Sequence, residues 1–282
     1  MKWLVTGSSG MLGTDLVEVL RASGEHVTPA SRETLDVTDE AAVRSAVEGH
    51  DVVVNAAAWT AVDDAEDHEA EARAVNADAP RLLARAAREH GARLVQVSTD
   101  YVFDGSARAP YAEDAPVAPA SAYGRTKADG ERAVREELPD GHLLVRTAWL
   151  YGAHGGCFPK TIARLARERG EVSVVEDQVG QPTWTRDVAD LVVRLVHADA
   201  RPGTYHATSS GQCSWFDFAR RVVVSAGLPP ETVQPTTSEA FVRPAPRPAY
   251  SVLGHQALRR SGLPPIEDWE RRWGEAARLV LG

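Results

Sequence analysis

Thr6-Gly7-Ser8-Ser9-Gly10-Met11-Leu12-Gly13 carries three glycines at a spacing of three. It follows the apolar run Trp3-Leu4-Val5 and precedes an amphipathic segment over 11–23, so it reads as a strand turning sharply into a helix. Gly7, Gly10 and Gly13 let the backbone turn tightly, approach a bound pyrophosphate and pack the helix on a sheet, while the helix N-terminus presents its positive dipole end. Farther along, Val52-Val53-Val54 precedes a helical pattern over 69–90, Leu94-Val95-Gln96-Val97 precedes one over 122–138, and Leu143-Leu144-Val145 follows. Short apolar runs separated by amphipathic segments are what buried parallel strands with crossover helices look like, so the first half is expected to be α/β, a doubly wound parallel sheet.

The glycine turn after the first strand makes that sheet Rossmann-like and marks residues 1–152 as a dinucleotide-binding domain. After about residue 150 the rhythm weakens. Helices are expected over 158–169, 186–198, 215–226 and 267–280, with a proline-rich stretch from Pro229 to Pro248. Too few strands remain for a second full sheet. Residues 153–282 therefore read mainly as a smaller C-terminal substrate lobe, with some segments after 183 returning to the cofactor domain. The proline stretch reads equally well as a linker.

With 282 residues, 43% of them hydrophobic, a large core is available. The net charge of -9 without a basic stripe argues against nucleic acid or an anionic membrane surface as partner. Cys157 and Cys213 lack CxxC or His-rich neighbours, which argues against a disulfide framework and a zinc site. The N-terminal residues enter a strand at once, and no apolar run approaches the roughly 20 residues that span a bilayer. A reduced, cytoplasmic protein is expected, without a metal.

The residues after the second strand discriminate between nicotinamide cofactors. An NAD site places a carboxylate there for the ribose 2'-hydroxyl, whereas an NADP site offers a basic group to the 2'-phosphate. Here the segment reads Val27-Thr28-Pro29-Ala30-Ser31-Arg32. Ser31 and Arg32 look like a phosphate clasp, which makes NADPH the preferred cofactor and NADH the second option. A solvated loop arginine is the alternative for Arg32.

Tyr123-Gly124-Arg125-Thr126-Lys127 places a phenol and an ammonium at i and i+4 on one helix face. Reduction of a carbonyl needs a hydride on carbon and a proton on the developing alkoxide. A neighbouring ammonium is expected to lower the phenol toward working pH, making Tyr123 a general acid, with Lys127 also holding the nicotinamide ribose. The chain holds 31 basic residues, of which Lys2, Lys127 and Lys160 are its lysines, so Lys127 stands out against an arginine background. Leu94 to Gly105 reads as a strand ending in Ser98-Thr99-Asp100-Tyr101, and Thr99 is expected to hydrogen-bond the substrate oxygen. The alternative is that Ser98 and Thr99 only terminate the strand.

These motifs, with Asn55-Ala56-Ala57-Ala58-Trp59-Thr60-Ala61-Val62-Asp63, Arg146-Thr147-Ala148-Trp149-Leu150-Tyr151-Gly152, Asp177-Gln178-Val179-Gly180-Gln181-Pro182-Thr183 and Arg247-Pro248-Ala249-Tyr250-Ser251, resemble the dTDP-4-dehydrorhamnose reductase family of extended short-chain dehydrogenase/reductases. The resemblance covers almost the whole chain. It implies reduction of the 4-keto group of dTDP-4-dehydrorhamnose to dTDP-L-rhamnose. It implies that Gly10, Met11, Leu12, Asp36, Val37, Ala58, Trp59 and Thr60 line the cofactor. Thr99, Asp100 and Trp149 would meet a dTDP-sugar, Trp149 through its flat face unless it is a core aromatic. Arg243 and Arg247 would neutralise the pyrophosphate unless they are surface charges.

Related 4,6-dehydratases follow the threonine with Asp-Glu, whereas this chain has Asp100-Tyr101 and so lacks the second acid for elimination. Some family members dimerise through magnesium held by glutamates. The matching positions here are Asp15 and Arg186, and an arginine cannot ligate the ion, so monomer and homodimer both stay open. The alternatives are a 4-ketoreductase for another dTDP-deoxyhexulose, and a non-catalytic regulatory subunit of the methionine adenosyltransferase type.

Overall fold

A computed structural model describes residues 1–282. Six parallel strands form the central sheet: β1 (Lys2–Thr6), β2 (His26–Ala30), β3 (Val52–Asn55), β4 (Arg93–Thr99), β5 (His142–Thr147) and β6 (Gly203–His206), in spatial order β2-β1-β3-β4-β5-β6. Every residue of β3 and β5 is buried, which explains the unbroken runs Val52-Val53-Val54 and Leu143-Leu144-Val145 in place of an alternating pattern. β1 lies between β2 and β3, so the connections run to opposite sides from it. A crevice opens past the carboxyl ends of β1 and β3, where such sheets place ligands.

Helices α1 (Met11–Ala22), α2 (Glu40–Val47), α3 (Ala79–His90) and α4 (Ala122–Glu137) belong to the first half. α3 ends at Gly91, whose φ of 69° is the left-handed conformation that closes a helix. The expected single helix over 69–90 is interrupted: Glu69–Arg73 passes through a wide π-type turn at Ala74–Asp78 before α3. That turn carries the buried Asn76. α2 starts on an Asp39 cap and α4 on a Ser121 cap, each side chain accepting from the backbone N–H three residues on. One face of the sheet packs on α1, the other on α2, α3 and α4, giving two apolar layers rich in Val, Leu and Ala.

Past residue 150 come α5 (Phe158–Arg169), α6 (Thr185–His197), α7 (Trp215–Ser225) and α8 (Trp269–Leu281). α6 packs against α1 and β6 pairs with β5, so both belong to the central sheet's layers. α5, α7 and α8 surround a separate aromatic core that contains Tyr151, Trp184, Phe218, Trp269 and Trp273. The remaining strands form four two-stranded pairings rather than a second sheet. The proline-rich stretch is anchored: Val233–Thr236 pairs with Val172–Val175 and the Ala245 N–H donates to Asp63 Oδ1 (3.2 Å), while just past it the Tyr250 N–H donates to the Gly105 carbonyl (3.1 Å) and the Ser251 N–H to that of Val179 (2.9 Å). No helix is long and apolar enough to cross a membrane.

Candidate active site

The ends of β1 and β3 are cross-linked to the middle of β4 by a buried polar row. Thr6 Oγ1 donates to Asn55 Oδ1 (2.6 Å), and Asn55 Nδ2 donates to Gln96 Oε1 (2.8 Å). Asn55 Oδ1 also accepts from the Ala57 N–H (3.2 Å), which sets the loop after β3. Buried polar groups matched this way hold one geometry, because any shift leaves a desolvated donor unpaired.

The glycine loop lies beside that row. Gly7 has φ of 65°, and a Cβ there would lie 2.6 Å from the Ala57 nitrogen; at Gly13 it would lie 2.1 Å from the Gly7 carbonyl oxygen. Both glycines therefore serve close backbone packing. The N-cap of α1 is Gly10, with no side-chain cap and no acid in the first turn, so the first-turn N–H groups stay available to an anion.

These elements open onto a cavity of about 1000 Å³. Gly7, Gly10, Met11, Leu12 and Gly13 line one part, with Arg32, Asp36 and Val37 beside them and Ala58, Trp59 and Thr60 opposite. Thr99, Asp100, Tyr123, Lys127 and Trp149 line the rest. Ser31 and Arg247, expected in the site, do not line it. The Ser31 N–H is instead bonded to Thr34 Oγ1 (2.9 Å) in the turn after β2. Arg247 Nη2 lies 2.8 Å from Asp63 Oδ1, and Arg243 Nε lies 3.3 Å from Asp63 Oδ2. Both arginines are thus tied to the acid that ends the Asn55–Asp63 motif.

Trp149 differs from expectation in its geometry. Its ring stacks on Trp215 at 3.6 Å between centroids and 7° between planes. A Cβ on Gly180 would sit 2.4 Å from Cε2 and nearly as close to its neighbours Cζ2 and Nε1, which puts the Gly180 backbone over the ring plane. Both faces are therefore covered, and only an edge of the ring is left to the cavity. The residue itself has φ of 48°, a left-handed conformation that is unusual for a bulky side chain and is held here by the sandwich.

The electrostatics also correct one expectation. Burial pushes Tyr123 up to about 12, partly offset by the Thr99 hydroxyl, so Lys127 does not lower the phenol. Burial instead brings Lys127 down to about 8, with Glu131 acting the other way, and its Nζ donates to the Val97 carbonyl (2.7 Å). Tyr123 is thus protonated throughout the neutral range, as a proton donor must be. An alkoxide is a stronger base than this phenolate, so transfer to it is still downhill. Asp100 is raised by burial to about 6, and its Oδ1 accepts from Thr99 Oγ1 (2.9 Å).

Several contributors were not singled out from sequence. Asn76 clamps the Trp59 backbone, accepting from its N–H (2.9 Å) and donating to its carbonyl (3.1 Å), and also donates to Thr126 Oγ1 (3.1 Å) on α4. Tyr101 meets Tyr123 edge to face at 5.6 Å. Arg146 and Glu131, both buried, form a two-point pair at 2.8 and 2.7 Å beneath Lys127. Spacing hints at the last alone: Tyr123, Lys127 and Glu131 share one face of α4. Outside the cavity, Asp15, Glu18 and His154 bring their ligand atoms within 4.8 Å of one another, and Arg186 approaches Glu18.

The match to the family described as RmlD substrate binding domain runs over residues 1–280. A probable dTDP-4,6-dihydroxy-2-methyloxan-3-one 4-ketoreductase of Streptomyces antibioticus is 51% identical, over 100% of this chain and 96% of that protein. A dTDP-4-dehydrorhamnose reductase of Streptomyces griseus is 50% identical, over 100% and 94%. The crystal structure of a dTDP-4-dehydrorhamnose reductase from Bacillus anthracis in complex with NADP superimposes with a TM-score of 0.94 at 38% identity, over 98% of this chain and 99% of that one. With its glycine-loop cavity and its likeness extending over the full length, the chain belongs to the dTDP-4-dehydrorhamnose reductase family.

Proposed function

We propose that this chain uses NADPH to reduce the 4-keto group of dTDP-4-dehydro-6-deoxy-L-mannose, giving dTDP-L-rhamnose. The observation that carries this reading is one cavity joining an uncapped helix N-terminus and Arg32 to a protonated phenol in the first turn of α4. The α1 N-terminus would hold the cofactor pyrophosphate, and Arg32, exposed and lining the cavity, would meet the 2'-phosphate. Bound NADPH supplies the hydride. Tyr123 donates the proton to the developing alkoxide, Thr99 orients the carbonyl, and Lys127 holds the nicotinamide ribose. The Trp149 edge and Asp100 would bound the sugar.

A second reading has direct support: relatives named for different dTDP-linked keto sugars stand at nearly equal identity. The same machinery would serve either substrate, because product stereochemistry depends on how the sugar is turned against the nicotinamide. Incubation with the enzymatically made rhamnose precursor and NADPH, with the product followed by NMR, separates them. Formation of dTDP-L-rhamnose is expected, and no NADPH oxidation would sink the assignment. Tyr123→Phe should lower turnover by roughly 100-fold or more while NADPH still binds. Near-normal turnover would remove Tyr123 from the chemistry.

A further inference from the structure

We propose that Trp215 is a positioning residue for the sugar nucleotide: by clamping the Trp149 ring against the Gly180 backbone, it fixes the edge that bounds the sugar. The proposal rests on the keto reduction above and deepens it, because it names what sets the shape of the sugar subsite. Trp149 lines the cavity, whereas Trp215 and Gly180 do not. Whatever those two residues do to the substrate therefore passes through Trp149.

Trp149 needs such a clamp. It stands two residues past the end of β5 in a left-handed conformation, φ 48°, which a bulky residue keeps only where its surroundings over-determine it. Its carbonyl accepts from the Thr183 N–H (3.2 Å). Val179–Gly180 pairs antiparallel with Cys213–Ser214, Gly180 opposite Cys213 and Val179 opposite Ser214. One short ribbon thus delivers both jaws. Gly180 brings its backbone over one face of the ring, where a Cβ would lie 2.4 Å from Cε2, and Trp215, the residue after Ser214, stacks on the other at 3.6 Å and 7°.

Trp215 is itself fixed. It opens α7, whose first turn is set by a capping box: the Asp217 N–H donates to Ser214 Oγ (3.0 Å) and the Ser214 N–H to Asp217 Oδ2 (3.1 Å). The Trp215 N–H donates to the Gln178 carbonyl (3.3 Å). Phe158, the first residue of α5, has its ring 4.4 Å from that of Trp215 and 5.7 Å from that of Phe218, so the aromatic core of the lobe backs the jaw. Close packing passes a displacement on rather than absorbing it, so this core holds the wall of the sugar subsite. With leucine at 215 one face of Trp149 loses its stacked partner, and the ring can tilt into the space vacated.

The test measures binding of dTDP-L-rhamnose and of dTDP by titration calorimetry to wild type, Trp215→Phe, Trp215→Leu, Trp149→Ala and the double variant Trp149→Ala with Trp215→Leu. Trp215→Leu should weaken dTDP-L-rhamnose about tenfold, as loss of one aromatic stack allows, and leave dTDP within about twofold, because the clamp acts on the sugar. Trp215→Phe keeps a flat ring and should lose about threefold; it decides the matter if the leucine variant does not fold. In the Trp149→Ala background, Trp215→Leu should add nothing. In turnover with the rhamnose precursor, KM should rise by the same factors while the KM for NADPH stays within about twofold. Unchanged affinity in the Trp215 variants, an equal loss for dTDP, or a further loss in the double variant overturns the proposal. Absence of turnover in wild type overturns the assigned reaction instead, and the calorimetry still decides the Trp215 clamp.

Discussion

Replacing Glu131 by glutamine keeps the shape of α4 but leaves Arg146 as an unpaired buried cation. Both side chains of this pair are 1% exposed, and the guanidinium is otherwise met by the Glu113 carbonyl (3.2 Å), His206 Nε2 (3.5 Å) and the face of Phe103 (4.9 Å), none of which carries a negative charge. Removing one partner of such a pair typically costs about 3–5 kcal/mol, because the remaining charge stays desolvated. At about 2.1 cal/mol/K per residue of unfolding entropy, a chain of 282 residues should lose roughly 5–8 °C in Tm. Scanning calorimetry at neutral pH measures this. Burial raises Glu131, but the Arg146 hydrogen bonds outweigh it and hold the carboxyl below its ordinary 4.5. The contribution is therefore fully present above that value and lost only as pH falls through the lower folded one. A second readout is Lys127, which Glu131 raises: without the carboxylate its ammonium should be lost at lower pH than in wild type. The double variant Glu131→Leu with Arg146→Met, which removes both charges, should recover most of the loss. A Tm within about 2 °C of wild type for Glu131→Gln, against the shift of several degrees expected for this length, would refute a desolvated, mutually dependent pair.

Arg32→Ala should weaken NADPH about tenfold or more while NADH changes little, since a charge-assisted contact to the 2'-phosphate is worth roughly 1.5–3 kcal/mol; equal effects on both cofactors, by fluorescence titration, would remove the clasp. Lys127 should lose its ammonium as pH rises through about 8, so the affinity for NADPH should fall above that pH, and a flat profile to pH 9.5 would contradict a ribose contact. The same shift means that the folded state binds fewer protons than the unfolded chain between about 8 and 10.5, so stability should rise across that window, as urea unfolding can measure. Gly13→Ala places a methyl 2.1 Å from the Gly7 carbonyl oxygen, which must move, and NADPH binding should be lost while a retained far-ultraviolet spectrum shows the fold intact.

Much was legible in the sequence because it rests on local pattern. The glycine loop, the short apolar runs of the strands and the helix capped by Ser121 are written within about ten residues each, and the parallel sheet follows from their alternation. The motifs at Gly7–Gly13, Thr99 and Tyr123–Lys127 were readable the same way, and Ala58–Thr60 and Asp100 through the family resemblance; all lie past the carboxyl edges of strands or at the starts of helices, where this topology brings them to one cavity. Tertiary structure decided what depends on distant neighbours. Arg247 reads as an anion contact until Asp63, far back in the chain, claims it. Trp149 reads as a flat stacking face until Trp215 and Gly180 cover both sides. The i, i+4 spacing put Tyr123 and Lys127 on one helix face, but only burial in the folded chain could raise the phenol rather than lower it. Spacing along a chain specifies which groups share a face; their charge state and free surface depend on which partners, tens to hundreds of residues away, exclude water from them.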